Sequence, residues 1–102
     1  MEKHNVYKAV PWFTVLQTSG GCQTAVMSLR PGAWSGEKGN EHPDSEQILL
    51  VLEGEVTAEI GEKRTTLKKG DSVIVPRKAE HRFGNLSEEA ALTFNVYTPP
   101  AY

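Results

Sequence analysis

GDSVIVPRKAEHRFGN, residues Gly70 to Asn85, is the stretch from which the rest of the 102-residue chain is best read. Gly70-Asp71 is a turn pair, and Ser72 to Val75 is a short β-branched run. Pro76 ends the run because proline has no N–H for a ladder, and Glu80 to Gly84 resumes with strict alternation. Two strands therefore meet at a corner. In the second, a period of two puts His81 and Phe83 on one face and Glu80, Arg82 and Gly84 on the other. With the charged face expected to be wet, His81 points inward beside an aromatic ring. An inward imidazole is either a core histidine bonded to backbone or a functional group.

Working outward, the same punctuation recurs along the chain. Trp12 to Thr18 is β-branched and aromatic and ends at Ser19-Gly20-Gly21; Cys22 to Leu29 is its hairpin partner, stopped by Arg30-Pro31-Gly32. Gln47 to Glu53 is an apolar run expected to be buried on both faces. Gly54 turns it into Glu55 to Ile60, where Val56, Ala58 and Ile60 alternate against Glu55, Thr57 and Glu59. Gly61-Glu62 turns again into Arg64 to Leu67, and Ala91 to Thr98 is the last strand, with Leu92, Phe94 and Val96 opposite Thr93, Asn95 and Tyr97. No window holds a helical apolar period over three turns. Short strands closed every eight to twelve residues by Gly or Pro indicate an all-β sandwich or barrel.

Pro31 to Ser45 has no periodicity, yet carries Trp34, Glu37, Asn40, Glu41, His42 and Asp44. A long irregular stretch in a small domain is either functional or disordered, and these residue types favour function. The chain as a whole reads as one domain, 1–102, with residues 1–8 and 99–102 expected to be peripheral. At 38% apolar and 24% charged residues, with a net charge of −2, it has an ordinary globular composition and no basic surplus to draw nucleic acid. No segment approaches the ~20 apolar residues of a membrane span. MEKHNVYK lacks the apolar core of a signal peptide, so a cytoplasmic location is expected. The single cysteine, Cys22, excludes an internal disulfide and is expected to be a buried or half-buried filler. His4 near the terminus is given no role.

The spacing Gly70, Pro76, His81, Asn85 resembles the second motif of the cupin superfamily, G-x5-P-x-G-x2-H-x3-N, with Lys78 standing where the family has glycine. Lys78 is expected to sit in a variant corner that avoids positive φ. Upstream, the frame of the first motif, G-x5-H-x-H-x3-4-E-x6-G, falls with Gly54 as its closing glycine, Gln47 at the glutamate position, His42 and Asn40 at the two histidine positions and Trp34 at the leading glycine. The two motifs span residues 34–85. The resemblance implies a double-stranded β-helix, a small jelly roll. In metal-binding cupins these positions hold one divalent ion, which implies Asn40, His42, Gln47 and His81 as ligands here.

That set is two imidazoles and two amides, all neutral, so a bound Zn, Ni, Fe, Mn or Cu ion would keep its full charge, bind more weakly and act as a stronger Lewis acid. Glu41 or Asp44 is the candidate to supply a carboxylate. Each residue also has a plain structural role open to it. His42 fits a solvated loop residue, Gln47 an interior hydrogen bond, Asn40 a turn and Asn85 a cap after its strand. Trp34, Phe83 and Phe94 are expected in the core, where a small barrel also puts its pocket. The resemblance allows an oxygenase, isomerase, epimerase or decarboxylase acting on a small polar or anionic molecule, and equally a non-catalytic, metal-free cupin that binds or senses a small ligand. It does not choose between them. An N-terminal strand, Trp12 to Leu16, too apolar to be left wet implies a homodimer.

Overall fold

The computed structural model describes residues 1–9 and 11–102. After a 3-10 turn at Val6–Lys8, eight strands follow: β1 Phe13–Thr18, β2 Gln23–Leu29, β3 Glu46–Glu53, β4 Glu55–Ile60, β5 Lys63–Lys68, β6 Ser72–Val75, β7 His81–Gly84 and β8 Ala91–Thr98. Every strand anticipated from the sequence is present, with ends moved by one residue at most. They form a five-stranded sheet, β1-β2-β8-β3-β6, facing a three-stranded sheet, β5-β4-β7, all antiparallel. This is the expected all-β jelly roll, the double-stranded β-helix. Leu29, Leu49, Val51, Val56, Val75 and Phe83 fill the space between the sheets, toward one end of the sandwich. His42, Gln47 and His81 are buried beside a cavity, and Asn85 is buried against the Leu29 carbonyl. Among the described residues no helix is long and apolar enough to cross a membrane.

Gly54 is required where β3 turns into β4. Its φ is +74°, and a Cβ there would meet the Ala90 carbonyl oxygen at 2.6 Å.

Several expectations are corrected. Lys78 does take positive φ, +66°, so the corner keeps the left-handed geometry that glycine adopts freely and a lysine tolerates at a cost of roughly 1–2 kcal/mol. Cys22 is exposed, because the β1–β2 turn closes with Ser19 N–H on the Cys22 carbonyl at 2.9 Å, one residue before the strand begins. The run Gln47 to Glu53 is buried on one face only: Gln47, Leu49 and Val51 point inward, while Ile48 is 43% exposed. The supposedly wet face of β7 is covered, since Trp34 lies over Gly84 and stacks on Arg82 with the guanidinium 3.9 Å from its ring centroid. Residues 99–102 are not peripheral. The Ser45 hydroxyl donates to the Pro99 carbonyl at 2.7 Å, and Gln23 holds the backbone of Ala101 and Tyr102.

Candidate functional site

The irregular stretch between β2 and β3 is ordered because it covers the open edge of β7. Ser35 N–H donates to the Phe83 carbonyl at 2.7 Å, and Phe83 N–H donates to the Ser35 hydroxyl at 2.9 Å. Farther along, the His81 N–H donates to the Gly39 carbonyl at 2.9 Å. An edge strand left bare would offer unpaired backbone groups; here the loop pairs with them and is led past the barrel mouth. His42 therefore arrives beside His81, with ring centroids 4.6 Å apart. A turn closed by Ser45 N–H on the His42 carbonyl at 3.0 Å then starts β3, whose first inward residue is Gln47.

His42, Gln47 and His81 are all buried, at 5, 3 and 8% exposure, and line one cavity of about 260 Å³. A polar chain behind them sets their orientation. The Thr93 hydroxyl donates to the Met27 carbonyl at 3.3 Å, the Asn95 amide to Thr93 Oγ1 at 3.0 Å, and Gln47 Nε2 to Asn95 Oδ1 at 2.9 Å. Because the Met27 carbonyl can only accept, each donor in this chain has one direction available. Gln47 Oε1 is thereby aimed at His42 Nε2, 2.9 Å away. His81 Nδ1 donates to the Ala79 carbonyl at 2.9 Å, which leaves Nε2 as the lone pair of the neutral ring. Burial holds the His81 pKa below its usual value, with the nearby His42 adding to the effect, and so keeps that lone pair free of a proton.

A divalent ion can be tested against this donor set. Adjacent ligands on an ion with bonds of roughly 2.0–2.2 Å stand about 3 Å apart, which is also the length of the His42–Gln47 hydrogen bond. His42 and Gln47, with the His81 ring beside them, bring two imidazoles and one amide to the cavity. They fit a weakly held ion with three neutral ligands only if His42 moves to its other tautomer, because Nε2 donates its proton to Gln47 Oε1. Among the described residues no group of three or more His, Cys, Asp or Glu side chains is placed to hold a metal ion.

The other anticipated residues divide. Phe83 lines the cavity. Asn40 is exposed and outside it, because residue 40 precedes β3 by several positions and is not held by the inward phase of a strand. Trp34 is also outside, over Gly84 on the far side of β7. Phe94 lies on the outer face of β8, half-buried, because the inward residues of that strand are Ala91, Thr93, Asn95 and Tyr97. Glu41 is exposed but borders the cavity; Asp44 is exposed and does not, its carbonyl accepting from Arg77 Nε at 3.0 Å. Asn85 caps as expected, with Oδ1 accepting from Ser87 N–H at 2.9 Å.

What the sequence reading missed is the aromatic wall: Trp12, Phe13, Tyr97 and Tyr102, completed by Met27. Phe13 and Tyr102 meet edge to face at 4.9 Å, and Tyr97 and Tyr102 at 5.1 Å. Burial pushes the Tyr97 phenol pKa far above its usual value, so it is a neutral hydroxyl. The signal for Tyr97 was present: it is two residues from Asn95 on a strand whose partner β3 carries Gln47, and Gln47 and Tyr97 are register partners.

A family model described as "Cupin domain" matches residues 25–97. "Polyketide synthase CurC" of Streptomyces cyaneus is 33% identical over 84 residues, covering 81% of this chain and 52% of that protein. The chain spans about half the length of the curated relatives it matches. Among solved structures, TT1209 from Thermus thermophilus superposes with a TM-score of 0.84 at 26% identity, covering 97% of this chain and 98% of that one. A protein of Silicibacter pomeroyi described as a sugar phosphate isomerase has a TM-score of 0.73 at 20% identity, covering 87% and 60%, a likeness of fold alone.

Proposed function

Because the chain belongs to the cupin family, we propose that its barrel binds a small molecule at a polar pole formed by His42, Gln47 and His81, and that this pole also holds a divalent metal ion. The observation that carries the reading is the one-way chain from the Met27 carbonyl through Thr93 and Asn95, which fixes Gln47 Oε1 toward His42, whose ring lies beside that of His81. Three neutral donors leave a bound ion its whole charge, so it would polarise an oxygen of the ligand strongly. The protein's own part is to aim the donors and to keep His81 unprotonated. The test is metal content after purification without chelators, followed by calorimetric titration of Mn, Ni, Cu and Zn into wild type, His81→Ala and Asn95→Leu. Wild type should bind one equivalent, His81→Ala should lose binding, and Asn95→Leu should weaken it by roughly 10–100-fold, the usual cost of removing a ligand's support. Wild type binding no better than His81→Ala sinks the metal reading.

A second reading, a metal-free binding cupin, is favoured by the absence of a carboxylate from the donor set and by the His42–Gln47 bond, which satisfies both groups without an ion. It predicts equal ligand affinity with and without chelator. We also propose a homodimer formed through the outer face of the five-stranded sheet. Ile48 and Ile74 are paired neighbours on β3 and β6, 43 and 58% exposed, beside half-buried Leu50, Phe94 and Val96. Apolar side chains contiguous across three strands suit a second copy of the same face.

A further inference from the structure

We propose that the molecule taken up by this cavity carries one aromatic ring with a short oxygen-bearing substituent, and that Tyr102, latched by Gln23, is the residue that selects the ring. The inference rests on the reading that the His42–Gln47–His81 cavity is the binding site.

Shape and charge both lead there. Among the described residues no lysine or arginine lines the cavity, and its one formally charged side chain is Glu41, an acid. A phosphate or sulfate group would find no cationic partner, and a polyol would meet a lining that includes Phe13, Met27 and Phe83, whose side chains offer it no strong hydrogen bond. The lining also holds a run of aromatic rings in edge-to-face contact, from Phe13 to Tyr102 to Tyr97 and on to His42 at 5.1 Å. A flat ring extends such a series in the geometry aromatic quadrupoles prefer, which a saturated ring of the same size cannot do. An apolar cavity near 150 Å³ accommodates benzene, so about 260 Å³ has room for a ring and a few substituent atoms.

Gln23 explains why Tyr102 stands where it does. It is 2% exposed, on β2, and three of its four amide hydrogen bonds go to the backbone of Ala101 and Tyr102. Its Oε1 accepts from Ala101 N–H at 3.1 Å and Tyr102 N–H at 2.9 Å, while its Nε2 donates to the Tyr102 carbonyl at 2.7 Å and to Thr18 Oγ1 at 3.0 Å. A buried glutamine spent on one short segment is a latch; its effect is to hold the 54%-exposed Tyr102 ring against Phe13 and Tyr97 at the cavity. Tyr102 is thus a wall residue and Gln23 a positioning residue.

The test titrates four probes into the full chain and follows backbone amide shifts by NMR: benzyl alcohol, cyclohexylmethanol, benzoate and fructose 6-phosphate, each with chelator and with added Mn or Zn. With chelator, benzyl alcohol should bind with a Kd on the order of 1 mM, as expected for so small a ligand. Cyclohexylmethanol should bind at least ~3-fold more weakly, and fructose 6-phosphate should cause no saturable shift at His42, Gln47 and His81. Tyr102→Leu, at an exposed position, should weaken benzyl alcohol by roughly 2–10-fold and leave cyclohexylmethanol unchanged. Gln23→Met should reproduce that loss of preference, and a Tyr102→Phe variant should restore it. Equal binding of the aromatic and saturated alcohols, or saturable binding of the sugar phosphate in chelator, overturns the proposal. The metal reading fails separately, by benzoate gaining nothing when metal is added while the ring preference persists.

Discussion

Gly84→Ala tests how the loop that brings His42 to the site is held. A Cβ at residue 84 would lie 2.4, 2.5 and 2.6 Å from three ring carbons of Trp34. Carbon atoms rest at about 3.5 Å or more, so the indole has to withdraw by roughly 1 Å. It cannot do so freely. Trp34 forms an isolated β-bridge with Gly84, and its ring is also stacked by Arg82, itself held by Glu59 through Nε at 2.8 Å. Overpacking of this kind costs about 1–3 kcal/mol, and losing the half-exposed cation–π contact about 0.5–1 kcal/mol more. A total of about 1.5–4 kcal/mol lowers the melting temperature of a domain this size by at least about 6 °C. The assay is a double-mutant cycle of Gly84→Ala and Trp34→Ala by urea and thermal unfolding. With the indole gone, Gly84→Ala should cost under ~0.5 kcal/mol, or stabilise, since alanine restricts the unfolded chain more than glycine does. If the two substitutions instead add, the glycine is not there to accommodate the tryptophan and the account of the covered β7 edge is wrong.

Asn85 is fully buried, and its amide nitrogen donates to the Leu29 and Glu89 carbonyls at 2.9 and 2.7 Å. Asn85→Ala removes both bonds, leaving the Glu89 carbonyl only its bond from the Ser87 hydroxyl, and opens a small void, so it should cost about 2–4 kcal/mol in urea unfolding, and a loss below ~0.5 kcal/mol refutes the role. The Arg82 guanidinium bonded to Glu59 holds that carboxyl below its ordinary value of 4.5. The unfolded chain then takes up the proton first, so this contribution is intact above pH 4.5 and is lost as pH falls through the lower folded value. Urea midpoints between about pH 5.5 and about pH 3 should therefore drop less steeply in Glu59→Gln than in wild type; identical slopes contradict the pairing. For the dimer, sedimentation at micromolar concentration should give twice the 11.2 kDa chain mass. Ile74→Lys should return it to monomer with the fold retained, and a wild-type monomer at that concentration removes the proposal.

The strands were legible because Gly and Pro mark nearly every strand end, and period two needs only a few residues to declare itself. Which face points inward is a different question, and there the sequence misleads. Alternation reports that two faces differ in polarity; deciding that the apolar one is inside imports an assumption. On β8 the assumption inverts: Thr93, Asn95 and Tyr97 are 0, 0 and 3% exposed, while Leu92, Phe94 and Val96 stay half-buried on the outside. Gln47 was located only through the family spacing, since the apolar residues around it read as buried on both faces. Asn40 was misplaced by the same spacing, which carries no information about a loop before it joins the sheet.

The inversion on β8 has a physical source. Burying Thr93 and Asn95 in place of aliphatic side chains forfeits on the order of 1–2 kcal/mol of transfer free energy apiece, even with every hydrogen bond made. A core with no task would have no reason to bear that. The polar chain ends on Gln47 and His42 at the cavity, so the cost is localised to residues that orient the site. On the outer face the balance reverses, since Ile48 and Ile74 leave apolar area in water at roughly 25 cal/mol per Å², a loss that the proposed dimer would recover. Polar side chains are thus turned inward at Gln47, Thr93 and Asn95, beside the cavity, while apolar ones stay outside at Ile48, Ile74 and Phe94. The proposed ligand site and the proposed dimer would each account for this arrangement on its own side of the sheet.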